Sequence, residues 1–317
     1  MTLQEMIRKH AYTPKQSVPD WMIGCFRRRS ISFANGESDD QTIVYWMQSR
    51  NFTIDLRLPL KEDQVPSRDI ADCTPAELAV MANYEGWEAA SHWENNRLRW
   101  SGGTALQLTD RWPEEAELQR IGNCMIEFAP SGSYVEDWRL QPSAPGPLVG
   151  LRLVEEHYPQ SGESVPRRGG LIICGDHAAL VLGRASPLPA GISTKNLSLP
   201  DRVADAIGDP EQLRQLLDFE TSVASGNPEQ GYEVLHSTVA ARVNESLLPD
   251  GEFESSEDSN RVQYQFTRGD QTCVWIFEID VLEPLHNFTL STPSTDASMS
   301  WFGRESETLT RYTRVLT

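Results

Sequence analysis

The chain has 317 residues, 39% of them hydrophobic, nine tryptophans and a formal net charge of −18. That length and apolar content exclude a disordered chain and suggest about two domains. The acidity argues against a nucleic acid or an anionic membrane as partner, because both recruit a positive footprint.

Five scattered cysteines with no CxxC pair indicate neither a disulfide framework nor a zinc site. Residues 1–20 read as a leader without the apolar core of a signal peptide. No stretch approaches the ~20 apolar residues of a spanning helix. These features make a cytoplasmic location the expectation.

Strand signals begin at Trp21-Met22-Ile23 and run through Arg29–Phe33, and Asn35-Gly36 supplies turn chemistry. Residues 43–58 read as a hairpin. In its second arm Phe52, Ile54, Leu56 and Leu58 alternate with Thr53, Asp55 and Arg57, the period of a strand. A helix is expected over 75–85, with Thr74 and Glu77 as a capping box and Pro75 at its first position. Strands are expected at 92–94 and 97–100, a turn at Gly102-Gly103, and further strands at 104–109, 123–129 and 133–140.

The proline-rich segment 141–147 is the best linker. The division is therefore a leader over 1–20, a first lobe over 21–147 and a second over 148–317. In the second lobe 162–170 reads as a loop. A helix is expected over 210–225, between Asp209-Pro210 and Gly226-Asn227-Pro228. Strands follow at 232–243, 261–267 and 272–282. The acidic 250–259 stretch and residues 291–300 read as loops, and 312–315 as a closing strand.

Residues 43–59 (IVYWMQSRNFTIDLRLP) are echoed by 171–189 (LIICGDHAALVLGRASPLP). Each is two apolar runs around a polar turn, followed by arginine and proline, and the echo sets Arg57 against Arg184. The expected fold class is mainly β: two antiparallel barrels related by an internal repeat, each with a short side helix.

Candidate site residues follow from alternation. Trp46 and Gln48 share a face of one hairpin arm, and Asp55 and Arg57 share a face of the next. Inside a barrel this set would recognise an anion or a carbonyl group. On the alternative reading Asp55 and Arg57 face outward while Phe52, Ile54 and Leu56 fill the core. His177 beside Asp176 could be tuned towards base catalysis, although Gly175-Asp176-His177 also reads as a turn. Glu136 and Trp138 share a face at the end of the first lobe. Trp93, beside His92, either lines a pocket or packs in the core. The six histidines lack metal-ligand spacing, and no P-loop, Rossmann glycine fingerprint, G-x-S-x-G or HExxH occurs. No cofactor and no metal are expected.

Gly24-Cys25-Phe26-Arg27-Arg28, early and opening a strand, resembles the glycine-x-tryptophan start of lipocalin-like barrels, with phenylalanine in the tryptophan position. Together with Tyr45–Gln48, Asp55–Pro59 and Gly175–His177, the chain is similar to a bacterial family of two-lobed proteins. That family is itself similar to a fungal double-barrel protein that partners a casein kinase. The resemblance covers most of residues 20–280. It implies two calycin-like lobes and brings no catalytic residues.

Three functions fit these features. The first is binding of a small apolar or aromatic molecule carrying a polar group in a barrel pocket. The second is a cofactor-free isomerase, cyclase or lyase using Asp55, Arg57, Glu136 or His177. The third is an interaction module with filled barrels. A homodimer is left open.

Overall fold

Nine strands in the first half order as a ring. They are β1 (Gly24–Phe33), β2 (Ser38–Asp39), β3 (Ile43–Gln48), β4 (Phe52–Leu58), β5 (Glu85–Glu94), β6 (Arg97–Ala105), β7 (Ala116–Ile121), β8 (Cys124–Phe128) and β9 (Tyr134–Leu140). Each of β3 to β9 pairs antiparallel with its predecessor in the order β1-β3-β4-β5-β6-β7-β8-β9. β9 then returns to β1, from Phe26↔Leu140 to Phe33↔Tyr134. The result is a closed eight-stranded barrel with β2 as a short flap on β1. The computed structural model describes all residues except 16, 189–197, 259, 293–294 and 312–317.

The second half forms another sheet. Its strands are β10 (Gly146–Tyr158), β11 (Glu163–Val165), β12 (Gly169–Cys174), β13 (His177–Leu182), β14 (Glu220–Asn227), β15 (Gly231–Ser237), β16 (Gly251–Ser255), β17 (Arg261–Arg268) and β18 (Gln271–His286). The order β15-β14-β13-β12-β10-β18-β17-β16 leaves β15 and β16 at its two ends, with β11 paired to β10. Among the described residues there are five α-helices: α1 (Leu3–Lys9), α2 (Pro75–Met81), α3 (Leu199–Asp205), α4 (Pro210–Leu217) and α5 (Asp296–Leu309). None of the described helices is long and apolar enough to cross a membrane.

Several expected boundaries move. Asp20–Met22 is a 3-10 turn, and β1 starts at Gly24. α2 ends at Met81, because Tyr84 turns back to receive the Val65 amide and Glu85 opens β5. The 210–225 helix stops at Leu217, and 220–227 is β14. The small and β-branched run Thr221-Ser222-Val223-Ala224 completes a ladder with β13, which decides the segment. Likewise 162–170 contains β11 and the start of β12, and 250–259 contains β16. The expected 232–243 strand ends at Ser237. β7 was not expected, and 291–300 runs into α5. The expected strand at 312–315 lies outside the described residues.

Gly102-Gly103 is not a turn. Both glycines sit at positive φ (+64° and +80°) inside β6, at a register shift opposite Glu88–Ala90. A Cβ on Gly103 would lie 1.8 Å from the Glu88 carbonyl, so this bulge requires glycine.

The leader belongs to the second lobe. Met6 and Ile7 of α1 are buried in that lobe's core, and Tyr12 bridges to Leu282. The two lobes dock through β4 and β5 against β10 and β12–β14. The Phe52 ring lies where Gly150 and Gly170 lack side chains, since a Cβ there would approach it to 3.1 and 2.9 Å. β12 and β13 are consequently buried on both faces. Ile172, Cys174, Ala179 and Val181 join the first lobe's core, while Leu171, Ile173, Ala178 and Leu180 join the second's.

Candidate functional site

β4 is buried along nearly its whole length because both its faces are covered. Phe52 points out to the second lobe, so alternation sends Thr53, Asp55 and Arg57 into the barrel. Trp46 on β3 is the direct cross-strand partner of Asp55. The inward reading of Asp55 and Arg57 is therefore the one the fold adopts.

Inside the barrel lies a cavity of about 380 Å³. It sits where the wall is thinnest: β6 and β7 share just Arg97↔Glu117 and Leu98↔Ala116. Segment 106–115 then crosses the gap and supplies part of the lining. Five indoles, Trp46, Trp87, Trp100, Trp112 and Trp138, are part of the wall. Trp46 meets Trp138 edge-on at 5.5 Å and Trp100 at 6.4 Å, and Trp100 meets Trp87 at 5.6 Å. Four indole N–H groups are already used. Trp138 donates to Glu127 (3.0 Å), Trp112 to Glu85 (3.0 Å), and Trp46 and Trp100 to the Thr53 hydroxyl (3.4 and 3.2 Å). With their donors tied to the barrel, these rings offer apolar faces and edges to the cavity.

The charged groups form two linked pairs and one extra acid. Arg57 Nε donates to Asp55 Oδ1 at 2.9 Å, and the guanidinium lies 4.7 Å from the Trp112 ring centre. Arg57 Nη1 is buried and has no hydrogen-bond partner. Burial raises the Asp55 pKa, and Arg57 pulls it back only in part. Burial also works against the Arg57 charge, but Asp55, Glu136 and Glu85 hold it firmly protonated. Across β8–β9, Glu127 and Glu136 are directly opposite each other. Arg28 serves Glu136 (2.8 Å) and Asp39 (2.6 Å). Glu127 has no such salt bridge, and burial together with Glu136 pushes its pKa well above the carboxylate range. The Tyr134 phenol, 3.4 Å from Glu127, is also raised, by burial and then by that acid.

The structure brings Trp46, Asp55, Arg57 and Trp138 to this cavity. Glu136 is buried behind Glu127, held by Arg28. Gln48 is saturated at the barrel's end, donating to the Ser49 and Phe52 carbonyls and to Ser91. Trp93 packs edge-on against Trp21 at 5.5 Å and does not line the cavity. His177 opens β13, and its Nε2 bonds the Pro142 carbonyl at 3.0 Å, so it ties the linker down. Arg184 lies two residues beyond β13 and binds the carbonyls of Leu216, Leu106 and Ala105. Gln48, Trp93, His177 and Arg184 thus stand outside this cavity's wall.

Glu127, Trp87, Glu85 and Trp112 were not singled out from sequence. Alternation of Met125 and Glu127 on one face of β8 was the available signal for Glu127. Trp112 sits on an irregular segment, where no periodicity exists to read. Among the described residues no group of three or more His, Cys, Asp or Glu side chains could hold a metal ion. Comparison with protein-family models, with curated proteins and with solved structures finds no match.

Proposed function

We propose that this protein binds a small, flat, largely apolar molecule carrying a polar group inside its first barrel. The observation that carries the reading is a cavity of about 380 Å³ lined in part by five indoles around a buried Asp55–Arg57 pair. That volume lies within the ~300–1,000 Å³ typical of small-molecule sites. Wide apolar faces with a few fixed polar groups give binding through area and orientation through hydrogen bonds. The lipocalin-like assignment belongs to the same proposal. Its support is the up-and-down closed ring, with Gly24–Arg28 at the start of β1. The paired hairpins 43–59 and 171–189 support a repeat, and a cytoplasmic protein without nucleic-acid partners completes the reading.

Native mass spectrometry of gently purified protein, with extraction of any retained molecule, tests it. A retained apolar or aromatic compound, lost from Trp100→Ala, is expected. A clean mass, combined with unchanged tryptophan fluorescence across a panel of aromatic compounds, overturns it.

A second reading, a cofactor-free acid–base enzyme, is favoured by Glu127, a buried acid on the cavity wall whose pKa burial raises well above the carboxylate range. Here Glu127→Gln abolishes conversion of the bound molecule while leaving its retention intact. Conversion by that variant at the normal rate removes this reading.

A further inference from the structure

The Arg57 guanidinium is the most unevenly used group in the barrel. Its Nε serves Asp55, one face lies on Trp112, and Nη1 is buried with no acceptor. An unmet buried donor costs about 1–3 kcal/mol, so a protein retains one where something else supplies the acceptor. Arg57 lines the barrel cavity and also a second one of about 540 Å³, and Trp112 and Glu85 line both. The side chain that covers Arg57 therefore stands between two open spaces, on the segment next to the barrel's weakest seam.

The charge arrangement selects among acceptors. Asp55 already compensates Arg57, and Glu136 and Asp39 compensate Arg28. Glu85 takes Arg111 and the Trp112 indole, while Glu127 makes no salt bridge and feels Arg57 only at a distance. A ligand carboxylate would add an uncompensated negative charge beside buried acids, which desolvation makes expensive. An ammonium group would suit Glu127 but leave the Arg57 donor unmet. A neutral carbonyl oxygen satisfies the donor and changes no charge.

Resting on the pocket reading above, we propose that the ligand is an uncharged, planar carbonyl compound whose oxygen accepts the Nη1–H of Arg57. The carbonyl reaches that donor as the Trp112 indole moves off it, and the attached ring packs against the remaining indoles.

Titration calorimetry with four probes of one ring system tests this: 2-acetylnaphthalene, 2-ethylnaphthalene, 2-naphthoate and 2-naphthylmethylammonium. The ketone is expected to bind about tenfold or more tighter than its ethyl analogue, the advantage of a hydrogen bond from a charged donor. Arg57→Met is expected to erase that ratio. Because Arg57→Met leaves Asp55 unpaired, the double variant Asp55→Asn, Arg57→Met provides the same test with the pair removed together. Equal binding of ketone and ethyl analogue keeps the pocket and overturns the carbonyl. Tighter binding of the carboxylate or the ammonium probe overturns the neutral class. A ratio that survives both variants overturns the role of Arg57. Binding of none of the four overturns the pocket reading and this inference with it.

Discussion

The β3–β4 and β12–β13 hairpins look alike in sequence and do different work. In the first, the ladder pair Trp46↔Asp55 faces a cavity. The equivalent pair in the second, counted from the closing pairs Gln48↔Thr53 and Cys174↔His177, is Ile172↔Ala179. By the same count Arg57 corresponds to Val181. Arg184 falls beyond the strand, because the intervening loops differ in length. A shift in register moves a side chain to another face or off the strand. The first hairpin has one apolar face on the second lobe and one polar, aromatic face on the cavity. The second is clamped between two cores, so both its faces are apolar. Two similar hairpins thus acquire different roles from what covers each face.

The strongest way to break this comparison is to give the second hairpin the first one's acid. Ala179→Asp places a carboxylate between the cores with no guanidinium beside it. A loss of about 5 kcal/mol, or no folded protein, is expected. Urea unfolding or soluble yield reads the outcome, and a stable variant would mean that the interface is wetter than its packing implies. Next, Phe52→Ala empties the seat made by Gly150 and Gly170. A loss of about 3–5 kcal/mol in urea unfolding is expected, whereas a loss below ~1 kcal/mol would detach the lobes' docking from their stability.

Arg184→Ala removes four bonds from a half-buried cation whose pKa is pushed down to about 10 by desolvation. We expect about 2 kcal/mol of destabilisation with ligand retention unchanged. Arg57→Ala, by contrast, is expected to abolish retention, and equal effects on retention would restore the equivalence of the two arginines.

The last expected effect is a slope with pH. β5 sends Trp87 into the cavity and Glu88 to the second lobe, where Arg152 meets it at 2.8 Å. Burial raises Glu88 to about 7, against the pull of Arg152 and Arg168. A folded-state pKa above the unfolded one means that the fold holds the proton more tightly. This group's contribution to stability is therefore complete below the ordinary glutamate range and declines as pH rises to about 7. Glu88→Gln should flatten that decline in unfolding curves. An unchanged slope would place the titration elsewhere.

Much of the first hairpin was legible. The alternation of Phe52–Leu58 and the face shared by Trp46 and Gln48 indicated the strands and set that face beside the one carrying Asp55 and Arg57, and the register then pairs Trp46 with Asp55. Which face turned inward was not legible, because both alternating sets end up buried once a second lobe covers the outside. Glu127 became part of the site when ring closure through β1–β9 and the β8–β9 register set it opposite Glu136. Trp112 entered it when an irregular segment crossed a thin seam.

By itself, the sequence determined a mainly β chain, its first hairpin, the cap of α2 and the absence of familiar catalytic motifs. These depend on period-two alternation and local hydrogen bonding, which neighbouring residues specify. The ring's closing register between β1 and β9, the leader's place in the second lobe, the different surroundings of Arg57 and Arg184 and the unmet donor on Arg57 were decided by tertiary structure alone. Each depends on which surface meets a given face, and that meeting is made by residues far apart in the chain.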